Sequence, residues 1–241
     1  KPLDSAMNQL IFVTHNIHEA LENKKDVCMV YLDISKAFDR VWHAGLVHKL
    51  HILGFDSELL SWLADYLSNR KQKVVLNGQE SESLNIEAGV PQGSILGPLL
   101  YLVFINDIII DISSEIYLYA DDVTLMKIVT DPTQSIQELN IDLKTLFDWA
   151  QQWTVSISPN KSKAMLISKK RPMPVYDDVE INEQIIERVH SHSHLGVIIT
   201  DDLKWDQHIQ ARIAKVGPMI NVLKRMSNIL PRKCKENIYK T

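Results

Sequence analysis

The sequence is short of cysteine, of long apolar runs and of net positive charge. Its two cysteines, Cys28 and Cys234, are too few for a disulfide framework, which favours a reducing compartment. No apolar run approaches the roughly 20 residues that a membrane-spanning helix needs, so we predict no membrane partner. The formal net charge of -4 argues against the globally basic surface of a typical nucleic-acid-binding protein.

The chain does contain enough apolar material for one large core. Of its 241 residues, 45% are hydrophobic, which suits one domain or a domain with an appendage. Short apolar runs alternate with amphipathic ones, a pattern that predicts an α+β fold. Because the sequence begins at Lys1 rather than at methionine, we expect a piece of a longer protein.

The charge is unevenly distributed along the chain. Between residues 211 and 241 Glu236 is the only acid, whereas basic residues recur through the segment. Arg232 and Lys233 are adjacent there and are candidates for contact with nucleic-acid phosphates. The alternative is a solvated helical face, which is the ordinary meaning of a run of charge.

Two adjacent carboxylates occupy the tip of a predicted hairpin. Asp121 and Asp122 follow the apolar run 116–119 and precede a β-branched run, which is typical of strand, tight turn and strand. A third acid, Asp33, ends the apolar run 27–32. If the two strands are neighbours, Asp33 with Asp121 or Asp122 can hold a pair of hard divalent cations, most naturally Mg²⁺. Taken alone, each acid is equally an ordinary turn residue.

A glycine-rich loop leads into a very apolar helix. Residues 89–93 read Gly-Val-Pro-Gln-Gly, and glycine lets a backbone approach a ligand, although a plain turn is the alternative. The run 99–109 is apolar on all sides, which predicts a helix buried under the sheet. Asn77-Gly78 predicts a hairpin with a type I′ turn, and a long amphipathic helix is predicted to start at Asp131 or Thr133.

Taken in order, these motifs resemble the palm of a reverse transcriptase of the non-LTR, LINE-type retrotransposon family. Three long stretches carry the resemblance: Tyr31–His43, Gly89–Pro98 and Tyr119–Asp122. Weaker matches are Asn160–Lys163, which resembles the lysine motif of the family, and the turn His194–Val197, which resembles its primer-contacting turn. The likeness extends over nearly the whole chain.

The resemblance implies a fold and a domain division. The fold would be an α+β polymerase palm of right-hand architecture, in which an antiparallel sheet is backed by two long helices. The palm would occupy residues 1–201 and include a partial fingers segment at about 56–88, and residues 202–241 would begin a basic helical thumb. Nothing upstream of Asp33 resembles the triphosphate-gripping fingers of the family, so the piece by itself need not be active.

The resemblance also assigns roles to the acids. Asp33 and Asp121 would coordinate both catalytic metals, and Asp122 would support the site electrostatically. The backbone carbonyl of Ile34 would complete one metal shell. The implied cofactor is two Mg²⁺ ions, with Mn²⁺ as the alternative.

Four further residues match positions that bind the nucleotide in the family. Phe38 would lie under the incoming sugar and exclude a ribose 2′-hydroxyl; its alternative role is core packing. Gln92 and Gly93 would lie against the nucleotide and the template base. Lys161 would steady the triphosphate or donate a proton to pyrophosphate, unless it is a solvated surface lysine.

The remaining implied contacts are with nucleic acid. Tyr119 precedes the acid pair, and Leu195 and Gly196 form the predicted primer-contacting turn. With Arg232 and Lys233 of the tail, they are the predicted nucleic-acid-binding residues.

The implied function is RNA-directed DNA polymerisation by a mobile element. The partners would be an RNA template, a DNA primer and a deoxynucleoside triphosphate, and the family habit of copying RNA at the insertion site implies the nucleus. Two alternatives stay open: a catalytically inactive palm that binds nucleic acid or protein, and an RNA-dependent RNA polymerase. The latter would be expected to carry a small or polar residue in place of Phe38.

Overall fold

The protein divides into two compact units, Lys1–Val189 and His190–Thr241. The structure, a computed structural model, describes residues 5–226, 231–234 and 237. The basic residues Lys235 and Lys240 of the predicted tail therefore lie outside the described residues. None of the helices within the described ranges is both long and apolar enough to cross a membrane.

The first unit contains five α-helices among the residues described. They are α1 (Ala6–Glu22), α2 (His43–Ile52), α3 (Ser57–Leu67), α4 (Leu96–Ile105) and α5 (Pro132–Gln152). Two short 3₁₀ turns, Ala37–Arg40 and Asn106–Ile109, follow β1 and α4. Side-chain caps account for three of the helix starts: Ser5 accepts a hydrogen bond from the Asn8 amide, Asp56 from the Leu59 amide, and Asp131 from the Gln134 amide. The α5 start at Asp131 confirms one of the two predicted positions.

The strands described in this unit belong to one five-stranded sheet or to three small ribbons, β2 with β5, β3 with β4 and β9 with β10. The strands are β1 (Asp26–Asp33), β2 (Lys71–Gln72), β3 (Val75–Leu76), β4 (Gln79–Glu80), β5 (Leu84–Asn85), β6 (Glu115–Tyr119), β7 (Asp122–Val129), β8 (Lys163–Ile167), β9 (Glu180–Ile181), β10 (Gln184–Ile185) and β11 (Glu187–Arg188). The main sheet has the order β11-β8-β1-β7-β6. Its pairs are antiparallel, as predicted, except that β11 joins β8 in parallel.

The central strand β1 is covered on both faces, because residues along a strand point alternately to opposite sides. Cys28, Val30 and Leu32 belong to the core that α2 to α5 form with the sheet. The alternate residues Val27 and Met29 are fully buried and lie on the side that α1 covers. Strand β1 is thus fixed from both sides, which holds its acidic end in a defined place.

Helix α4 departs from its prediction. It begins at Leu96 and ends at Ile105, and it is buried on one face only: Leu100 is 3% exposed, whereas Leu99 is 56% exposed and Leu102 is 50% exposed. The prediction that every side of this helix is buried was wrong, because only the face toward the sheet has packing partners among the described residues.

A buried lysine ties three helices together. Lys49 of α2 is 5% exposed, and its Nζ donates to the Phe104 carbonyl at 2.7 Å and to Asp107 Oδ1 at 2.5 Å. The same ammonium lies 3.8 Å from the ring centroid of Trp153, and the Trp149 indole also donates to Asp107, at 3.1 Å. Burial nevertheless lowers the pKa of Lys49, which the hydrogen bond and the charge of Asp107 oppose.

The predicted fingers segment contains two of the small ribbons, β2 with β5 and β3 with β4. The β3–β4 turn has Asn77 at φ 50° and Gly78 at φ 77°, which confirms the predicted Asn-Gly hairpin. All four strands are exposed, so these ribbons are held by their own hydrogen bonds, whereas Leu63 and Leu67 of α3, in the same segment, are buried in the core.

The second unit consists of a hairpin and a helix. Strands β12 (Ser191–His194) and β13 (Val197–Thr200) pair in an antiparallel ribbon, and α6 (Asp206–Met226) follows with Pro218 inside it. Arg212 of α6 donates to the Gly196 carbonyl in the hairpin turn. The hairpin thus groups with α6, whereas the predicted domain boundary fell between them, after residue 201.

Candidate active site

Three carboxylates meet at one end of the five-stranded sheet. Asp33, the last residue of β1, pairs in register with Asp122, the first residue of β7. Residues directly opposite in an antiparallel pair project to the same face, with Cβ atoms about 5 Å apart. Ala120 and Asp121 form the two-residue turn that joins β6 to β7, because Tyr119 pairs with Asp122. The predicted strand neighbours and the acid-tipped hairpin are therefore both confirmed.

The turn itself has an unusual backbone. Ala120 has φ 52°, a left-handed conformation that costs a residue with a Cβ more than it costs glycine. Such positions persist where the surrounding structure determines them, as the antiparallel ladders on both sides of β7 do here. The turn thus presents Asp121 at the tip of a hairpin that is anchored on both strands.

The backbone around Asp33 is held by the segment before β8. The Asp33 amide donates to Ser162 Oγ at 3.2 Å, and the Ser158 amide donates to the Asp33 carbonyl at 2.9 Å. Ser162 is fully buried, and its hydroxyl donates to the Ser158 carbonyl at 2.8 Å. The Asp33 carboxylate accepts from Ser35 Oγ at 3.3 Å and lies 3.9 Å from Lys161 Nζ. Two serines therefore fix the strand end, and a lysine stands beside its acid.

Lys161 fits both of its predicted alternatives in part. Its side chain is 68% exposed, as a surface lysine would be, but its ammonium also lies 3.9 Å from the Asp33 carboxylate. Because both groups are exposed, this ion pair contributes little to stability. Its charge is available to a ligand that binds at the acids.

The carboxylates of Asp121 and Asp122 repel each other when both are ionised. Burial, and after it the negative charge of Asp121, raise the pKa of Asp122 above the usual value for an aspartate. Across the described residues, no group of three or more His, Cys, Asp or Glu side chains is clustered closely enough to hold a metal ion by itself. Mg²⁺ does not need such a cage, because it is usually bound by one or two carboxylates together with substrate phosphates and water. The donor set at this sheet end fits that mode.

The glycine-rich loop is fastened to the 3₁₀ turn that follows β1. The Val90 amide donates to the Phe38 carbonyl and the Gly89 amide donates to the Val41 carbonyl, each at 2.8 Å. A Cβ at Gly89 would lie 2.8 Å from the backbone of Asp39, so only glycine permits this approach. Gly93, at φ 80°, faces open space, because an added Cβ would meet no atom within 4 Å. The loop thus leaves room for a ligand next to Gly93.

A cleft of about 670 Å³ opens beside this loop. Its polar lining residues are Lys36, Asp39, Arg40, Arg70, Gln72 and Gln92. Gln92 is held at the rim by a 2.8 Å hydrogen bond from Nε2 to Asp39 Oδ1. Since three cations and a single acid line the cleft, it favours an anionic ligand.

Phe38 is half-buried and packs against a tyrosine of α4. The ring centroids of Phe38 and Tyr101 are 4.4 Å apart, with 31° between the ring planes. Phe38 therefore contributes to the core and is also partly exposed, and its backbone carbonyl bonds to Val90 of the loop. Its two predicted roles, packing and contact with a sugar, are compatible.

The predicted nucleic-acid-binding residues are distributed over both units. Tyr119 pairs with Asp122 and is 41% exposed. Leu195 at φ 47° and Gly196 at φ 81° form the two-residue turn between β12 and β13, so the predicted turn is confirmed. Arg232 and Lys233 are exposed. The contacts of these residues with nucleic acid stay predictions.

Sequence reasoning missed three residues of this region. Ser35 and Ser162 bond to Asp33 and were overlooked because serine in a loop is common. Tyr101 was missed because it lies inside an apolar run, where nothing in the sequence marks the residue that faces Phe38.

The fold and the carboxylates together define a class of protein. A strand that ends in an acid, paired with an acid-tipped hairpin in a sheet covered by helices, is the architecture of a polymerase palm. The model of the family described as reverse transcriptase (RNA-dependent DNA polymerase) matches residues 3–199. The chain belongs to the reverse transcriptase family.

Curated relatives place it among the mobile-element branch of that family. It is 34% identical over 248 residues to the RNA-directed DNA polymerase from mobile element jockey of Drosophila melanogaster, covering 97% of this chain and 26% of that protein. It is 32% identical over 226 residues to the probable RNA-directed DNA polymerase from transposon X-element of the same species, covering 87% of this chain and 24% of the relative. The chain thus spans about a quarter of the length of these relatives, and its resemblance to non-LTR retrotransposon enzymes is confirmed.

A solved structure supports the fold. Apo telomerase from Candida tropicalis, truncated from its C-terminal domain, aligns with a TM-score of 0.55 at 12% sequence identity. The alignment covers 83% of this chain and 39% of that one. At this identity the likeness establishes a shared α+β architecture and nothing finer.

Proposed function

We propose that this chain is the palm of an RNA-directed DNA polymerase, which copies the RNA of a retrotransposon into DNA by two-metal nucleotidyl transfer. The observation that carries the proposal is the register of the sheet, in which Asp33 faces Asp122 while Asp121 occupies the adjoining turn. The names of the curated relatives agree with it.

Asp33 and Asp121 would hold two Mg²⁺ ions, or Mn²⁺ in their place, with the Ile34 carbonyl as a further ligand and Asp122 as electrostatic support. When bound, the ions would activate the primer 3′-hydroxyl and neutralise charge on the triphosphate. The protein's own contribution is to keep the acids in place. The bonds from Ser162 and Ser158 to the backbone of Asp33 hold that residue in position before any ligand arrives.

The cleft beside the loop would receive the phosphate-bearing partners, the deoxynucleoside triphosphate and the template strand. Lys36, Arg40 and Arg70 supply positive charge there, and Gln92 offers an amide at the rim. Lys161 lies just before β8, the strand beside β1, and would steady the triphosphate near Asp33. Gly93 would let the template base lie against the loop.

Phe38 would set the choice of sugar. Its ring is braced by Tyr101, so it cannot easily turn away from a ribose 2′-hydroxyl. A rigid ring discriminates by contact with the extra hydroxyl, which a mobile side chain would accommodate. We therefore propose deoxynucleotides as the substrate class, with a DNA primer and an RNA template.

The test is primer extension on an RNA template with Mg²⁺ and deoxynucleotides. It is run on this chain and on a chimera in which the chain replaces the matching segment of the longer jockey protein, since the chain spans only 26% of that relative. Each is compared with its Asp121→Asn variant and with Asp148→Asn, a control that removes an exposed acid on α5.

Extension that is lost with Asp121→Asn and kept with Asp148→Asn supports the polymerase. Template binding without extension in the chain and in the chimera would contradict it and would favour an inactive palm that binds nucleic acid. Preferred use of ribonucleotides would favour the RNA polymerase instead. Action in the nucleus is part of the proposal, and a tagged protein that stays outside the nucleus throughout its life cycle would contradict that part.

A further inference from the structure

One arginine of the cleft beside the glycine-rich loop is held in place by an aromatic residue. Arg70, between α3 and β2, lines the cleft, and its Nε donates to the Tyr66 carbonyl at 2.7 Å. Its guanidinium carbon lies 4.5 Å from the centroid of the Tyr66 ring, which stacks on Trp62 with 5.9 Å between centroids and 18° between planes. The Arg70 carbonyl accepts from the Ile86 amide at 2.9 Å. The backbone and the side chain of Arg70 are thus both fixed before any ligand binds.

Helix capping accounts for only part of this arrangement. A basic side chain near a helix C-terminus commonly bonds to the last free carbonyls, as Arg70 does at the end of α3. That bond uses Nε alone. The other N–H donors of the guanidinium have no partner among the described residues, although the side chain lines a cleft. A braced guanidinium with free donors is suited to bind a phosphate through two parallel hydrogen bonds.

The charge and the position of the cleft indicate which phosphate it would bind. Three cations and one acid line it, so it favours an anion. None of the three candidate metal-binding carboxylates lines it, and neither does Lys161, which stands beside Asp33. A triphosphate that reacts must lie at those carboxylates, where the metals would be held. The cations of the cleft therefore suit the second anionic partner, the template strand.

We propose that Arg70 binds the backbone phosphates of the RNA template strand in this cleft, with its guanidinium held in the binding orientation by the ring of Tyr66. The inference rests on the proposed function, in which an RNA template is a partner, and it assigns the cleft to that strand rather than to the nucleotide. Two features of arginine are required: its positive charge, which attracts the strand, and its fixed fork of donors, which sets the position of the phosphate. Substitutions remove them separately.

Arg70→Gln removes both features. It is expected to raise the dissociation constant for single-stranded RNA about 10-fold, as for the loss of one charged hydrogen-bonded contact, and to reduce the salt slope by about 0.7. Arg70→Lys keeps the charge, so its salt slope should equal that of wild type. Its affinity should still fall, by less than in Arg70→Gln, because an ammonium does not reproduce the fork. An arginine that only caps α3 would show neither effect.

The role of Tyr66 depends on its ring. Tyr66→Phe keeps the stacked ring and should bind RNA like wild type. Tyr66→Leu removes the ring and should weaken RNA binding without a change of salt slope, because every charge remains. Tyr66 packs against the core, so the melting temperature of each variant is measured as well. If Tyr66→Leu fails to fold, Arg70→Lys still tests the fork.

The experiment measures the fluorescence anisotropy of a labelled single-stranded RNA oligonucleotide on the whole chain, at several salt concentrations and without nucleotide. Arg171→Gln is the matched control, since Arg171 also donates to backbone carbonyls, those of Ser168 and Lys170, but does not line the cleft. It should bind RNA like wild type. Wild-type RNA affinity in Arg70→Gln, or an equal loss in Arg171→Gln, would overturn the inference. So would a loss confined to the binding of inorganic triphosphate, which would assign the cleft to the nucleotide.

Primer extension by the chimera separates this inference from the proposed function. If the chimera extends no primer while Arg70→Gln still weakens RNA binding by the chain, the polymerase proposal fails and the cleft remains a site for RNA. If the chimera extends the primer while Arg70→Gln binds RNA like wild type, only the role of Arg70 fails.

Discussion

Asp121→Asn is expected to make the metal-free protein more stable while it abolishes the proposed activity. Asp121, in the turn, is followed directly by Asp122, the first residue of β7. The negative charge of Asp121 contributes to the raised pKa of Asp122. Ionised together in the absence of a cation, they repel each other in the folded state more than in an extended chain. The side chain of asparagine is nearly the same size and removes one of the charges.

The size of the effect follows from Coulomb's law and from exposure. Two unit charges about 4 Å apart interact by about 1 kcal/mol in water and by about 4 kcal/mol at the effective dielectric constant of a protein surface. The Asp122 carboxylate is partly desolvated, but the residue as a whole is exposed, so the solvent-screened end of this range applies. We expect Asp121→Asn to raise the free energy of unfolding by about 1 kcal/mol, which is about 2–4 °C in melting temperature for a domain of this size.

The pH dependence has a defined sign. Since the folded-state pKa of Asp122 is raised, its contribution to stability is fully present below the ordinary aspartate pKa of about 3.9 and is lost as the pH rises through the folded-state value. At pH 7 the wild-type protein therefore carries the full penalty, and Asp121→Asn relieves part of it. The difference between the two proteins should shrink as the pH falls below about 4.

Thermal melts at pH 7 and at pH 3.5, without metal and at low salt, measure this difference. Asp148→Asn controls for the loss of one exposed negative charge outside the turn, and it should leave the melting temperature within about 1 °C of wild type. If Asp121→Asn is no more stable than wild type at pH 7, the carboxylates do not repel in the folded state. The electrostatic account of the site would then be wrong.

Three other changes test separate parts of the structure. Phe38→Ala is expected to lower discrimination against ribonucleotides about 10–100-fold in primer extension, and unchanged discrimination would refute the role of the ring in sugar choice. Lys49→Met keeps most of the side-chain volume but leaves Asp107 without its charge partner; urea titration should show a loss of about 3 kcal/mol, near the lower end for a buried pair because Asp107 is 33% exposed. Wild-type stability would show that this ion pair contributes nothing. Reversal of charge at Arg232 and Lys233 should weaken nucleic-acid binding and reduce its salt slope by about 2, whereas a solvated face would leave the slope unchanged.

The comparison of helices α4 and α5 explains what local pattern can predict. Helix α5 was predicted closely because both of its features are local. The N-cap at Asp131 indicates where the helix starts, and the regular spacing of its apolar residues indicates which face is buried. Helix α4 is so uniformly apolar that its sequence contains no sign of which face is covered. The exposure of Leu99 and Leu102 depends on what surrounds the helix, and that information is not local.

Lys49 illustrates the same limit for a charged residue. It lies between His48 and Leu50 on α2, and nothing in that local sequence distinguishes a buried lysine from a solvated one. Only the convergence of Phe104, Asp107 and Trp153 from other segments supplies the acceptors and the ring that make burial tolerable. The residues that contact Lys49 lie more than fifty positions away in the sequence, so the residues next to Lys49 do not indicate these contacts.

The order of acid-tipped strand, glycine-rich loop and acid-tipped hairpin, and with it the family, could be read from the amino-acid sequence without the structure. Turns and strand ends depend on a few neighbouring residues, so Asp33, Asp121 and Asp122 were identifiable without a structure. The packing of the folded chain was needed to bring Asp33 opposite Asp122, to bond Ser162 to the Asp33 backbone and to set the ring of Tyr101 against Phe38. These are relations between distant segments, and they arise only when the strands acquire their register and the helices pack against them.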